Sequence, residues 1–233
     1  YSALYAYDFK SKETKQLMGA EYMIHGLDFH PQGKKAFVFA TKGNEHGINE
    51  DPMLYQIDLE SKEWSLFAGE GFDHSPVNTV GTDSRYGGGR TSKALDDAYY
   101  FIETKASDAV LSRVKEGQAV ENLIEEKGSV ECFDIDQDML YFIAMRDLQL
   151  PELYVCDGKE TVKITDFSKA LNELNLAPIE ELSFTSNGRD IKGFVIKPLN
   201  YEEVKKYPGL LSVHGGPKTV FGSVLHHEMQ LLA

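Results

Sequence analysis

A short pattern of apolar and polar residues recurs along the chain. It reads Leu-Tyr, two variable residues and Asp, followed closely by a turn-like stretch that contains Lys-Glu, and its copies are Leu4–Asp8, Leu54–Asp58 and Leu153–Asp157. A weaker copy, Val110–Gly117, lies between the second and the third. Short alternating runs bounded by turn residues are typical of β-strands. A strand-built repeat with a period of about 50 residues predicts the blades of a β-propeller.

The runs between these copies complete the predicted blades. Each later copy follows a pair of strand-like runs joined by a tight turn, and the pairs are His25–His30 with Lys35–Thr41, Ala94–Leu95 with Ala98–Thr104, and Cys132–Asp136 with Met139–Met145. Final strands are predicted at Trp64–Phe67 and Thr161–Ile164. The fold class is therefore mainly β, a partial propeller of about three and a half four-stranded blades. Since closed propellers have four to eight blades, we expect further blades upstream of Tyr1.

The pattern changes after Asp166. We predict a helix at Lys169–Leu176, which Ser168 caps and Pro178 ends. A hairpin follows, with strands Glu181–Thr185 and Ile191–Ile196 joined around Asn187-Gly188. The remaining predicted elements are a charged connection at Tyr201–Lys206, a strand at Leu210–Val213 and a helix at His226–Ala233. These elements predict a second domain. The predicted domains are residues 1–166 (propeller), 167–178 (linker with a short helix) and 179–233 (the beginning of the second domain).

Composition narrows the class of partner. The 233 residues are 42% hydrophobic and 26% charged, as in ordinary globular proteins, and the formal net charge is −13. An acidic chain argues against nucleic acid and against anionic membranes as partners. The two cysteines, Cys132 and Cys156, imply no disulfide framework, so free thiols and a cytoplasmic location are expected. We expect no metal and no organic cofactor, and homo-oligomerisation stays open.

The richest motif is His214-Gly215-Gly216-Pro217, directly after the apolar run Leu210–Val213. A strand that runs into two glycines leaves backbone N–H groups free to point at an anion, which acyl-transfer enzymes require for an oxyanion hole. A Gly-Gly turn with a structural proline is the alternative. The 233 residues contain no Gly-x-Ser-x-Gly nucleophile elbow. The sequence therefore indicates part of an enzyme without its nucleophile.

Two stretches carry a resemblance to a known family. Ile179–Pro198, with its Asn-Gly-Arg-Asp turn, and Tyr207–Ala233, which contains the His-Gly-Gly-Pro motif, resemble the opening of the hydrolase domain in the prolyl oligopeptidase family. The acylaminoacyl-peptidase and dipeptidyl-peptidase-like members are the most similar. That family places a β-propeller before an α/β-hydrolase domain, so the resemblance implies that residues 179–233 are the first strands and first helix of such a domain.

The resemblance implies roles for particular residues. Gly216 would donate its backbone N–H to the oxyanion, Gly215 would let the substrate approach, and His214 would shape the loop without being the catalytic base. Phe221 would lie near the substrate entrance or act as a core aromatic. Arg85 and Arg90 would face the substrate or belong to a flexible loop around Gly87–Gly89. The catalytic Ser, Asp and His are expected after Ala233, so this chain alone would not turn over substrate.

Three functions are compatible with these features. The favoured one is a serine peptidase that hydrolyses short or N-acylated peptides, with the propeller restricting access. A propeller binding module with an inactive hydrolase-like domain is the alternative from another class. A plain esterase with a His-Gly-Gly loop is the third, although such an enzyme needs no propeller. The pair His226-His227 does not chelate a metal as an i, i+4 pair does, since neighbouring side chains on a helix diverge.

Overall fold

A computed structural model describes residues 2–69 and 71–233. In chain order, the strands among these residues are β1 (Leu4–Tyr7), β2 (Thr14–Met18), β3 (Met23–Phe29), β4 (Lys35–Thr41), β5 (Met53–Asp58), β6 (Trp64–Leu66), β7 (Val80–Gly81), β8 (Ser92–Leu95), β9 (Ala98–Lys105), β10 (Asp108–Lys115), β11 (Glu121–Ile124), β12 (Ser129–Asp136), β13 (Met139–Met145), β14 (Glu152–Cys156), β15 (Thr161–Lys163), β16 (Ile179–Ser186), β17 (Arg189–Ile196) and β18 (Val220–Phe221). One α-helix, α1 (His227–Leu232), and 3₁₀ turns at Gly47–Asn49 and Phe167–Glu173 complete the elements of the described residues. The protein is mainly β, as the sequence predicts.

The chain forms two compact units. One contains Tyr1–Pro76, Ser92–Phe101 and Ser112–Asn122, and the other contains Val77–Thr91, Ile102–Leu111 and Leu123–Ala233. The boundaries between the units include one within strand β9 and one within strand β10. In the first unit, β3-β4-β5-β6 form an antiparallel four-stranded sheet, and β1 pairs with β2. In the second unit, β12-β13-β14-β15 form the same kind of four-stranded antiparallel arrangement. Strand positions thus agree with the repeat, while the number of blades stays a prediction.

The core of the first unit is built from aromatic side chains. Strand β4 is buried on both faces, and its Phe37 and Phe39 pack on the ring of Tyr99 at centroid distances of 5.3 and 5.4 Å. Phe67 meets Phe37 edge to face at 5.0 Å, and Phe101 lies 5.9 Å from Phe39. Aromatic pairs in such tilted and edge-to-face arrangements add to the stabilisation from area burial. The strands therefore have a dense apolar centre that fixes their register.

The repeated aspartate has a defined structural role. In each copy, the Oδ1 atom accepts hydrogen bonds from the backbone N–H groups two and three residues later, at 2.7–2.9 Å, and the three residues are Asp8, Asp58 and Asp157. These backbone hydrogen bonds hold the pKa of each of the three carboxyls below its usual value. An aspartate that bonds its own following backbone is a standard turn former. The three copies of the repeat therefore form the same kind of turn, each held by its own aspartate.

The predicted hairpin is confirmed. Strands β16 and β17 pair in unbroken antiparallel register from Ile179 opposite Ile196 to Ser186 opposite Arg189. Asn187 and Gly188 join them with φ values of 52° and 74°. Two consecutive positive φ angles define the type I′ turn that Asn-Gly favours.

Two of the predicted elements are wrong in detail. Ser168 does not cap a helix at Lys169–Leu176, because it lies inside the 3₁₀ turn Phe167–Glu173 and is buried. Its hydroxyl donates instead to the Glu152 carboxylate at 2.7 Å. Leu210–Val213 forms no strand, and Leu210, Leu211 and Val213 are 76%, 91% and 77% exposed. A strand needs a hydrogen-bonded neighbour, and among the described residues no other strand pairs with this run.

Candidate functional site

The motif His214–Pro217 lies on the surface. Residues 210–218 are exposed, a turn covers residues 216–218, and β18 begins at Val220. The loop is therefore separated from β18 only by Lys218 and Thr219, so the position of this strand governs where the loop lies.

Gly216 occupies a backbone conformation that requires glycine. Its φ is +138°, and a Cβ atom at this position would lie 2.7 Å from the backbone N of Thr219 and 2.8 Å from that of Lys218. An L side chain would be strained and would collide with the backbone. Gly215 has no such restriction, since a Cβ there would meet nothing within 4 Å. Within residues 2–69 and 71–233, no other group of the chain accepts a hydrogen bond from the Gly216 N–H.

Aromatic rings surround the end of the loop. The Phe221 ring lies 5.7 Å from the His214 ring and 6.4 Å from the His226 ring, and both contacts are edge to face. The Nδ1 atom of His214 lies 3.1 Å from the carbonyl oxygen of Gly215. Phe221 is half-buried. These contacts give the loop a neighbouring apolar surface of partly exposed rings.

A distant segment of the chain holds the residues that follow the loop. Strand β7 pairs in parallel with β18, with Val80 opposite Val220. Thr82 Oγ1 donates to the carbonyl oxygen of Leu225 at 2.6 Å. The Asp83 carboxylate accepts from the backbone N–H of His227 at 2.6 Å and from that of Glu228 at 2.8 Å. It thereby caps α1, a role that the sequence did not reveal.

The electrostatics of Asp83 follow from these contacts. Partial burial raises the pKa of its carboxyl, but the hydrogen bonds from the Glu228 and His227 amides outweigh that effect, and the pKa lies below its usual value. The Nδ1 atom of His226 lies 3.3 Å from the Asp83 carboxylate and adds a smaller lowering. Asp83 is therefore ionised at neutral pH and suits the positive end of a helix N-terminus.

The two arginines of this region differ in their surroundings. The guanidinium of Arg85 forms an ion pair with Glu131 and donates to the Val80 carbonyl oxygen at 2.8 Å and to Asn78 Oδ1 at 3.1 Å. Arg90 is exposed, and its carbonyl oxygen accepts from the Phe133 N–H at 2.9 Å. The role of both in substrate binding stays a prediction.

Neither a metal cluster nor a membrane-spanning helix is found in the described part of the chain. No group of three or more His, Cys, Asp or Glu side chains there is arranged to hold a metal ion, and His226 and His227 belong to none. The helices of residues 2–69 and 71–233 are too short and too polar to cross a bilayer.

Two curated proteins that resemble this chain in sequence are peptidases. The chain matches the uncharacterized peptidase YuxL of Bacillus subtilis with 31% identity over 113 residues, which are 46% of this chain and 17% of that protein. Dipeptidyl-peptidase 5 of Aspergillus fumigatus is 35% identical over 60 residues, 26% of this chain and 8% of that protein. No family model matches the chain.

Solved structures of other proteins superpose on almost the whole length of this chain. The acylaminoacyl peptidase of Pyrococcus horikoshii superposes with a TM-score of 0.76 and 20% identity, and the match covers 99% of this chain and 33% of that one. These neighbours and the curated peptidase relatives are consistent with the family predicted from the sequence, that of the prolyl oligopeptidases. Puromycin hydrolase, with a TM-score of 0.60, 17% identity and coverage of 91% and 32%, has the same fold. The chain thus spans about a third of these prolyl oligopeptidase-like structures.

Proposed function

We propose that the chain is part of a serine peptidase that hydrolyses short or N-acylated peptides by acyl transfer. Residues 1–166 form propeller blades, residues 167–178 link the domains, and residues 179–233 begin the α/β-hydrolase domain. The propeller restricts access to the cleft, so that peptides enter and folded proteins do not. The reaction needs no metal and no organic cofactor, and it takes place in the cytoplasm.

The conformation of Gly216 carries the proposal. Its positive φ and the absence of room for a Cβ atom dictate glycine, and its N–H makes no hydrogen bond within the described part of the chain. Such an N–H is a suitable donor for the oxygen that becomes negative in a tetrahedral intermediate. The loop that follows the third strand of an α/β-hydrolase sheet supplies a donor of this kind, often from a His-Gly-Gly sequence.

The other catalytic groups are expected from residues after Ala233. In α/β-hydrolases the order is nucleophile, acid, then histidine, and all three follow the oxyanion loop. No Gly-x-Ser-x-Gly elbow occurs within the 233 residues, so this stretch alone is expected to be inactive. The residues of this chain contribute the donor at Gly216, the loop shape at His214 and an apolar wall at Phe221.

The relatives support the substrate class. One structural neighbour, with a TM-score of 0.75 and 21% identity, is an acylaminoacyl peptidase in complex with Z-Gly-Gly-Phe-chloromethyl ketone. The curated relatives are peptidases as well. A short peptide derivative with a blocked N-terminus is therefore the first substrate to test.

The test uses the product of the complete gene. Alanine keeps the backbone N–H, but it cannot hold the φ of +138° without colliding with the Thr219 backbone, so Gly216→Ala should turn this N–H away from the oxyanion. The variant should lower kcat/KM for N-acetyl-alanine p-nitroanilide by about 10²- to 10³-fold, the usual effect of losing one oxyanion donor. Gly209→Ala is the matched control, because it lies in the same exposed stretch, has no positive φ and would place its Cβ in open space. The control should retain wild-type activity.

Two results would contradict the proposal. A Gly216→Ala variant as active as Gly209→Ala would remove the oxyanion role. A wild-type product that hydrolyses neither acyl-peptide anilides nor simple esters would favour the binding module, and hydrolysis of esters alone would favour an esterase.

A further inference from the structure

The segment of residues 78–85 is anchored to β12. Asn78 donates through its side-chain amide to Ser129 Oγ and to the Val130 carbonyl oxygen, both at 2.8 Å. The same side chain accepts from the Val80 N–H at 3.0 Å. Arg85 closes the other end of the segment through its ion pair with Glu131, whose side chain is only 9% exposed. Both ends of the segment are therefore fixed to one strand.

The opposite side of the segment of residues 78–85 holds residues 219–228. The Val220 N–H donates to the Thr79 carbonyl oxygen at 3.0 Å, and the contacts of Thr82 and Asp83 with residues 225–228 follow. Gly222 allows the close approach, since a Cβ there would lie 3.1 Å from a methyl carbon of Val80 and 2.5 Å from the Ser107 carbonyl oxygen. Residues 219–228 are thus held along their length.

We propose that Asp83 is a positioning residue for the oxyanion loop His214–Pro217, an inference that rests on the proposed function. Asp83 fixes the start of α1 through two backbone amides, and Thr82 and β7 fix the residues before it. Gly216 lies against the Thr219 backbone, where a Cβ would come within 2.7 Å of the Thr219 N, so a displacement of residues 219–228 would carry the Gly216 N–H with it. Asp83 touches no substrate in this arrangement and acts through residues 219–228.

Asp83 is the side chain in this segment that most directly sets the position of α1. Val80 and Gly81 pair with β18 through the backbone, so their side chains offer no comparable substitution. Asp83 uses both carboxylate oxygens, one for each amide of His227 and Glu228. Asparagine retains one acceptor oxygen, and alanine retains none. The series from aspartate through asparagine to alanine therefore grades the capping of α1 without changing the main chain.

The test measures kinetics and amide exchange on the complete gene product. Asp83→Ala should lower kcat for N-acetyl-alanine p-nitroanilide about 10- to 100-fold with KM unchanged, because a displaced oxyanion donor weakens transition-state binding alone. Hydrogen–deuterium exchange in peptides covering residues 214–222 and 223–233 should accelerate at least tenfold. Asp83→Asn should fall between wild type and Asp83→Ala on both readouts. Asp138→Ala, an exposed aspartate in the turn between β12 and β13, is the control.

The outcomes separate the two proposals. Faster exchange together with a lower kcat supports the positioning role. Faster exchange with unchanged kcat overturns it and leaves the proposed function standing. A higher KM with unchanged kcat also overturns it, because that pattern reports substrate binding. If the wild type hydrolyses nothing, the proposed function fails and the positioning role falls with it, even where exchange shows that Asp83 holds α1.

Discussion

Replacing Glu152 by glutamine should release the turn Phe167–Glu173 from β14. Glu152 is fully buried, and its two carboxylate oxygens accept four hydrogen bonds. They come from the Thr165 hydroxyl, the Phe167 N–H at 3.0 Å, the Ser168 N–H at 2.6 Å and the Ser168 hydroxyl at 2.7 Å. A glutamine amide has one acceptor oxygen, so the Phe167 or Ser168 N–H would face a donor in the interior.

The magnitude follows from the charge of the carboxylate. Burial raises the pKa of Glu152, but the hydrogen bonds from Thr165, Ser168 and Phe167 outweigh it and lower the pKa from 4.5 to about 2. A shift of this size corresponds to about 3 kcal/mol of stability at neutral pH. Because the pKa is lower in the folded state, this stability is complete above pH 4.5 and is lost as the pH falls toward about 2.

Amide exchange is the direct assay. In Glu152→Gln, the peptide covering residues 163–173 should exchange about 100-fold faster at pH 7, after correction for intrinsic rates, which is the population change expected for about 3 kcal/mol. The difference between variant and wild type should shrink when the measurement is repeated at progressively lower pH values below 4.5.

Glu160→Gln is the matched control. Glu160 is exposed and precedes β15, so its substitution should leave exchange in residues 163–173 unchanged. Unchanged protection in Glu152→Gln would refute the reasoning. A protection loss of the same size at pH 3 and at pH 7 would also refute it, since the effect would then come from packing and not from the ionised carboxylate.

Two further predictions concern the same unit. Gly128→Ala should lower the thermal unfolding midpoint by an amount equivalent to about 2 kcal/mol or more, because its φ is +120° and a Cβ would lie 2.2 Å from the Met145 carbonyl oxygen. Gly26→Ala is the control and should shift the midpoint far less, since a Cβ there would lie in open space. Equal shifts in the two variants would contradict the geometry. Burial raises the pKa of Cys132, so iodoacetamide should alkylate Cys132 more slowly at pH 7 in the native protein than in urea. Mass spectrometry of the peptide that contains Cys132 measures the two alkylation rates. Equal rates would contradict the prediction.

Local signals explain what the sequence could predict. The propeller-like strands at the repeat copies and the Asn187-Gly188 hairpin depend on residues that are close together in the chain. The turn after each Leu-Tyr-x-x-Asp copy is also local, because the aspartate bonds its own following amides. Such features can be read from a pattern of residue types.

Long-range contacts explain the features that the sequence could not predict. Leu210–Val213 has the composition of a strand, yet a ladder depends on a partner that composition does not reveal. Ser168 has the residue type of a helix cap, but the Glu152 carboxylate of β14 takes its hydroxyl. The contact of Asp83 with α1 joins residues 144 positions apart, and no motif announces it.

The pairing of β7 with β18 also has a consequence for the order of folding. Thr82 and Leu225 are separated by 143 positions, so their hydrogen bond closes a very long loop. The entropic cost of closing such a loop is met only after nearer contacts have formed. During synthesis, the contacts of Thr82 and Asp83 can form only after residues 225–228 have left the ribosome. The segment that follows the Gly216 loop is therefore fixed only once both ends of this long loop have been made.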